Sequence, residues 1–252
     1  MIIKVGTCGW SARGGRKNYY KHFSVVELQD VFYRLPKEDT ARKWRAEAPE
    51  SFEFTLKAWQ AITHPPSSPT WRRNNLKVSK EEYDKYGFFR PTEKVFNAWN
   101  LFKKIAEILK AKIIVFQTPP SFKCTEENIS NMKSFFDSIE RKDFILCWEP
   151  RGDWKNHPKK LKKILVELEL VHVVDILRYP PLVFTPTLYF RLHGLDKGEV
   201  NYRYKYKDSD LEKLRDLVYS LSSNVKQTYI MFNNIYMFQD ALRFKEFLGE
   251  CK

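Results

Sequence analysis

LYFRLHG, residues Leu188 to Gly194, is an apolar and aromatic run that stops on an arginine, a histidine and a glycine. Continuous apolar runs, as opposed to strict alternations, belong to strands buried on both faces, as in parallel sheets covered by helices. In such a strand residues two apart share a face, so Arg191 and His193 point the same way near its C-terminal end. Seven other runs have the same build: KVGTCGW (Lys4 to Trp10), VVELQ (Val25 to Gln29), FEFTLKAW (Phe52 to Trp59), KIIVFQTPP (Lys112 to Pro120), FILCWEPR (Phe144 to Arg151), VHVVDIL (Val171 to Leu177) and TYIMFNN (Thr228 to Asn234). Their polar ends are nearly all C-terminal. Most are separated by stretches long enough for a crossover helix, and eight such units predict an α/β fold, a closed (β/α)8 barrel of the TIM type.

The intervening stretches read as helices. Thr40 to Ala48 is stopped by Pro49, and Thr92 to Leu109 places Thr92 as N-cap before an apolar face of Val95, Phe96, Trp99, Phe102, Ile105, Ala106 and Leu109. Thr125 to Ile139, His157 to Leu168, Asp208 to Leu221 and Gln239 to Leu248 follow the same pattern. The chain of 252 residues is near the roughly 250 typical of one barrel, so a single domain over residues 1–252 is expected. No stretch has the apolar length of a membrane span, and the N-terminus enters a strand directly, without the regions of a signal peptide, which predicts a cytoplasmic protein. Cys8, Cys124, Cys147 and Cys251 are widely spaced and read as reduced thiols, not a zinc knuckle.

Barrels of this type carry their active sites at the C-terminal strand ends. Strand parity then brings Glu27, Lys57, Glu149, Asp175, Arg191 and His193 to the mouth as catalytic candidates, with Gln117, Asn233 and Asn234 as neutral hydrogen-bonders. The alternative is architectural, with buried charges paired as Lys57 with Glu149 and Arg191 with Glu27 or Asp175. Five histidines are too few and too scattered for a multi-zinc site. A single Mg2+ or Mn2+ on Glu27, Glu149 or Asp175 suits a phosphate substrate. So does metal-free chemistry in which His193 or Glu149 moves a proton while Arg191 and Lys57 neutralise an anion. No phosphate-binding glycine loop, dinucleotide fingerprint or serine nucleophile elbow is present.

A formal charge of +13 fits an anionic partner or a solvated, lysine-rich surface. Two loops concentrate it. His64 to Pro91 is too long for a plain connection and holds Trp71, Arg72 and Arg73, an aromatic beside two guanidinium groups suited to phosphate or stacked-base contact. NYRYKYKD, Asn201 to Asp208, alternates Tyr with Arg203 and Lys205, placing aromatics on one side and cations on the other. Trp10, Tyr33, His64 and Arg151 complete the candidate binding residues.

Taken in order, GTCGW (Gly6 to Trp10), VEL and FYRLP (Val26 to Pro36), FTLKAWQAITHP (Phe54 to Pro65), FQTPPSF (Phe116 to Phe122), WEPRGDW (Trp148 to Trp154), VVDI (Val173 to Ile176), YFRLHG (Tyr189 to Gly194) and FNN (Phe232 to Asn234) run through nearly the whole chain. Together they resemble the YecE-like family, domain of unknown function 72. The resemblance implies a TIM-type barrel and supplies no reaction. Many relatives carry Glu-Phe-Arg where this chain has Glu149-Pro150-Arg151. The expectation from these readings is an enzyme acting on an anionic, phosphate-containing substrate, such as a phosphodiesterase or nuclease-like hydrolase. The alternatives are a non-catalytic protein binding single-stranded nucleic acid through its basic loops, and a lyase or isomerase on a small anionic sugar or acid.

Overall fold

The computed structural model describes residues 1–74, 76–221 and 224–249. Eight parallel strands close into a barrel in chain order: β1 (Ile2–Cys8), β2 (Val25–Leu28), β3 (Glu53–Lys57), β4 (Ile113–Gln117), β5 (Ile145–Glu149), β6 (Val171–Val174), β7 (Thr187–Leu192) and β8 (Gln227–Phe232). Between them run α1 (Arg16–Tyr19), α2 (Asp30–Tyr33), α3 (Glu38–Glu47), α4 (Gln60–Thr63), α5 (Glu93–Ile108), α6 (Glu126–Ser138), α7 (Pro158–Glu167) and α8 (Asp208–Tyr219), with α9 (Met237–Phe247) after β8. Every apolar run is a strand, ending within a few residues of the polar terminus read from sequence.

Local chemistry sets several boundaries. Thr92 and Thr125 sit just before α5 and α6 in extended conformation, and their hydroxyls accept the N–H groups of Val95 at 3.3 Å and Asn128 at 3.2 Å. Each cap satisfies a donor that the helix leaves without a partner, worth about 1 kcal/mol. One crossover departs from the expected rhythm. Residues 175–186, between β6 and β7, form turns and no helix, and the Leu182 N–H donates to Nδ1 of buried His172 at 3.1 Å, pinning the connection to β6.

The chain divides into two compact units: Met1–Glu27, Ala48–Glu53 and Val171–Lys252 form the first, Leu28–Glu47 and Phe54–Leu170 the second. In the first, β8 lies between β1 and β7 with continuous registers from Ile2↔Gln227 to Thr7↔Phe232 and from Thr187↔Gln227 to Leu192↔Phe232. Tyr189 and Tyr229 stack at 5.6 Å, and the Tyr229 hydroxyl donates to Glu53, which also pairs with Lys4. In the second unit β4 lies between β3 and β5, and Phe89, Trp99, Phe116, Phe135 and Phe136 pack ring against ring at 5.1–6.2 Å. Aromatic pairs of this kind contribute about 0.5–1.5 kcal/mol each beyond the area they bury.

The long loop after β3 is ordered by α4. The N–H groups of Gly87 and Phe89 donate to the carbonyls of Ala61 and Ile62, both at 2.9 Å, and Trp71 Nε1 donates to the His64 carbonyl at 2.9 Å. Gly87 has φ +72°, and a Cβ there would lie 2.4 Å from the His64 carbonyl carbon. Only glycine fits that approach. Cys8 and Cys147 are buried thiols outside any disulfide and Cys124 is half-buried, while Cys251 lies outside the described residues. Among the described residues, no helix is long and apolar enough to cross a membrane.

Candidate functional site

In the first unit, the parity of β7 sets the geometry. Tyr189, Arg191 and His193 share a face. Arg191 Nη2 lies 2.9 Å from Glu27 Oε1, and the Tyr189 hydroxyl donates to Glu27 Oε2 at 2.9 Å. Both charged side chains are buried. An ion pair removed from water survives only when good geometry and further hydrogen bonds offset desolvation, and the tyrosine supplies one such bond. Of the two partners that the sequence left open for Arg191, the structure selects Glu27.

Two residues further on, His193 is held from both ends. Its peptide N–H donates to Asp175 Oδ2 at 3.1 Å, and its Nδ1 faces the Asn233 side-chain amide at 3.1 Å. Asp175 also accepts the Leu177 N–H on Oδ1 at 3.1 Å and has the Arg178 guanidinium 3.8 Å from Oδ2. This carboxylate therefore anchors backbone at the ends of β6 and β7. Gly194 follows at φ +81°, and a Cβ there would lie 2.2 Å from the Asn201 carbonyl oxygen. Its N–H donates to the Tyr206 hydroxyl at 2.7 Å, a phenol whose pKa burial pushes upward. Asn234 donates to the Tyr204 carbonyl and to Asp240 Oδ2, both at 2.7 Å, and burial raises the Asp240 carboxyl pKa above its ordinary value. Asn233 meets the imidazole, and its neighbour Asn234 braces the loop.

The Asn233 contact sets the tautomer of the His193 ring. With the amide nitrogen toward the ring, Nδ1 accepts and the proton resides on Nε2. A half-turn of the amide puts Oδ1 in the same place, so that it accepts a proton on Nδ1 and leaves Nε2 as the base. One asparagine serves both states.

In the second unit, Lys57 Nζ lies 3.8 Å from the centre of the Phe32 ring, and His64 packs edge-on against the same ring at 4.9 Å. Burial first, and the Lys57 charge second, hold the His64 pKa well below its ordinary value. Its Nδ1 lies 2.8 Å from the Thr63 hydroxyl. Arg73 lies over the Tyr33 ring at 3.6 Å, Arg72 is exposed, and Trp71 is buried. Its ring is not an exposed platform for a base. Glu149 and Arg151 pair at 2.5 Å across Pro150, and Gln117 stands beside Glu149 in the β4–β5 register. Trp10, in the first unit, is absorbed into an aromatic cluster with Tyr19, Tyr20 and Phe52.

The protein's own donors already engage these carboxylates. Glu27 and Asp175 have both oxygens on protein donors, and Glu149 has one on Arg151. Among the described residues no group of three or more His, Cys, Asp or Glu side chains is arranged to hold a metal ion.

Residues 4–251 match the family model described as protein of unknown function DUF72. The chain belongs to the DUF72 family. It is 24% identical to UPF0759 protein YunF of Bacillus subtilis (strain 168), over 92% of this chain and 89% of that protein. The crystal structure of a DUF72 family protein from Enterococcus faecalis superposes with a TM-score of 0.73 at 20% identity, covering 100% of this chain and 97% of the other. Endonuclease IV from Thermus thermophilus superposes with a TM-score of 0.55 at 11% identity, over 98% and 100% of the two chains. These structural likenesses establish the shared barrel.

Within the two units, four side chains in these contacts were not among the residues singled out from the sequence. Tyr189 was within reach, since it shares parity with Arg191 and His193. Phe32 under Lys57, Arg178 beside Asp175, and the Tyr206 hydroxyl behind Gly194 come from loops and helices whose periodicity carries no signal of where a side chain lands.

Proposed function

We propose that this DUF72 chain hydrolyses phosphate esters, with His193 as the group that moves the proton. The observation carrying this reading is the double hold on His193, with its peptide on Asp175 and its Nδ1 on Asn233 at the C-terminal end of β7. In the base form, Nε2 takes a proton from the attacking water as its oxygen bonds to phosphorus. The same proton passes from Nε2 to the leaving oxygen as the ester bond breaks, so the imidazole returns to its starting state. Asn233 follows this cycle by holding Nδ1 throughout. Asp175 positions the peptide, and the Glu27–Arg191–Tyr189 layer fixes the strand beneath. Support for the substrate class comes from the net charge of +13 and from the name of one barrel neighbour, an endonuclease.

The test is hydrolysis of bis(p-nitrophenyl) phosphate by the wild type and by His193→Gln and Asn233→Ala, each with EDTA, Mg2+ or Mn2+. His193→Gln is expected to lose roughly 100-fold or more of kcat with its melting temperature kept. Asn233→Ala should shift the pH profile of kcat. Equal activity in His193→Gln, or no hydrolysis by the wild type under any of these conditions, overturns the reading.

A further inference from the structure

Three loops of the first unit follow β1, β7 and β8, which are neighbours in the sheet. Residues 10–24 carry Arg13, Arg16, Lys17 and Lys21 without a single Asp or Glu, and residues 193–207, the loop after β7, carry Lys197, Arg203, Lys205 and Lys207 against Asp196 and Glu199. Residues 233–239 are uncharged. A local excess of cations over carboxylates produces a field that attracts an extended anion. The loops after β7 and β8 are tied together, since the Ile235 N–H donates to the Tyr202 carbonyl at 2.8 Å.

This basic face also exposes two tyrosine rings and an isoleucine. Tyr202 is 50% exposed, Ile235 63% and Tyr236 37%. Lys205 Nζ lies 5.8 Å from the centre of the Tyr236 ring, and Tyr202 stands edge-on to His193 at 6.2 Å. Beside Ile235 opens a cleft of about 490 Å3, lined among others by Ser11, Arg13, Asn18, His22 and Phe238. That volume lies in the range of a small-ligand pocket. Cations interleaved with accessible rings are the two components of single-strand binding: the cations track phosphates, and the rings stack on bases that a duplex would keep covered.

We propose that a single-stranded nucleic acid lies along this face, with bases on Tyr202 and Tyr236, phosphates on Arg203 and Lys205, and one nucleotide in the cleft beside Arg13. The inference deepens the phosphoester reading and rests on it for the chemistry that follows binding, because a base on Tyr202 brings its phosphate toward His193. Binding itself is independent of that chemistry.

The experiment measures fluorescence anisotropy of labelled 20-nucleotide oligo-dT and oligo-rA with the full chain over a range of salt concentrations, with hydrolysis of bis(p-nitrophenyl) phosphate assayed separately. Affinity is expected to fall as salt rises. Tyr202→Ala and Tyr236→Ala should each weaken binding by about tenfold, and Arg203→Ala and Lys205→Ala should each lower the slope of log affinity against log salt by roughly 0.7. Lys159→Ala with Lys163→Ala, which removes the same charge from α7, should leave the slope unchanged. All these residues are exposed, so each variant should melt with the wild type. The inference is overturned by absent binding at low salt, by affinity unchanged in both tyrosine variants, by a slope that falls equally in the α7 variant, or by polyglutamate competing as well as unlabelled oligonucleotide. Hydrolysis retained with no oligonucleotide binding sinks this inference alone, and oligonucleotide binding without hydrolysis sinks the enzymatic reading alone.

Discussion

The loop after β3 and the loop after β7 are made of similar residues, aromatics beside arginines and lysines, and both bury rings while exposing cations, but only the second leaves a ring, Tyr202, half exposed beside its arginine. In the first, Trp71 is buried with its indole N–H on the His64 carbonyl, and Arg73 lies across Tyr33. In the second, Tyr204 and Tyr206 are buried while Arg203 and Lys205 face solvent together with Tyr202. The difference arises from what each loop must cover. The loop after β3 returns onto α4 through backbone hydrogen bonds and consumes its own aromatic to seal that contact. The loop after β7 satisfies its anchor with two hydroxyl contacts, Tyr206 to the Gly194 N–H and Tyr204 to Asp210, which leaves the remaining side chains outside. Composition alone therefore does not distinguish a sealed loop from a presenting one.

The largest expected effect lies beneath the presenting loop. Arg191→Met leaves Glu27 buried without its cation and should destabilise the chain by about 3–5 kcal/mol, whereas Glu27→Gln combined with Arg191→Met should recover much of that loss. Thermal melts of the single and double variants check this. Equal losses in the two would mean that the packing of the methylenes, not the stranded charge, controls β7.

Gly87→Ala in the sealed loop and Gly194→Ala at the foot of the presenting loop should each cost about 3 kcal/mol, because both glycines have positive φ and a Cβ would strike backbone. The two should differ in function: Gly194→Ala displaces His193 and should lower kcat in the surviving folded fraction, and Gly87→Ala should not. Paired melting and kinetic measurements sharpen the contrast, and an identical kcat in both variants would break it.

A smaller difference separates the aromatics themselves. Trp71→Ala should cost about 2–3 kcal/mol as a buried ring with a satisfied N–H. Tyr202→Ala should remain within roughly 0.5 kcal/mol of the wild type. Denaturant midpoints measure both, and a comparable loss for Tyr202→Ala would make it a sealing residue like Trp71.

The smallest effect is one of pH. The folded-state pKa of His64 is held well below 6.5, so the unfolded chain binds the proton more readily. The stability this contributes is full above pH 6.5 and is lost as pH falls toward the folded value. Asp240, whose folded pKa is raised, acts in the opposite sense, contributing most below its ordinary value of 3.8 and losing that contribution as pH rises. His64→Gln should therefore flatten the decline in melting temperature between pH 7 and pH 5. An unaltered decline would assign it to other groups.

By itself the sequence determined the strands, the helices with the Thr92 cap, and the shared parity of Arg191 and His193 at the end of β7, because period and capping are local properties of a few consecutive residues. Tertiary structure decided that Glu27 pairs with Arg191, that Asp175 holds the peptide of His193, that Trp71 is sealed while Tyr202 is presented, and that no helix covers the step from β6 to β7. Those outcomes depend on strand register and on the paths of loops, which bring together residues such as Glu27 and Tyr189 that lie 162 positions apart in the chain. No local pattern encodes such a meeting.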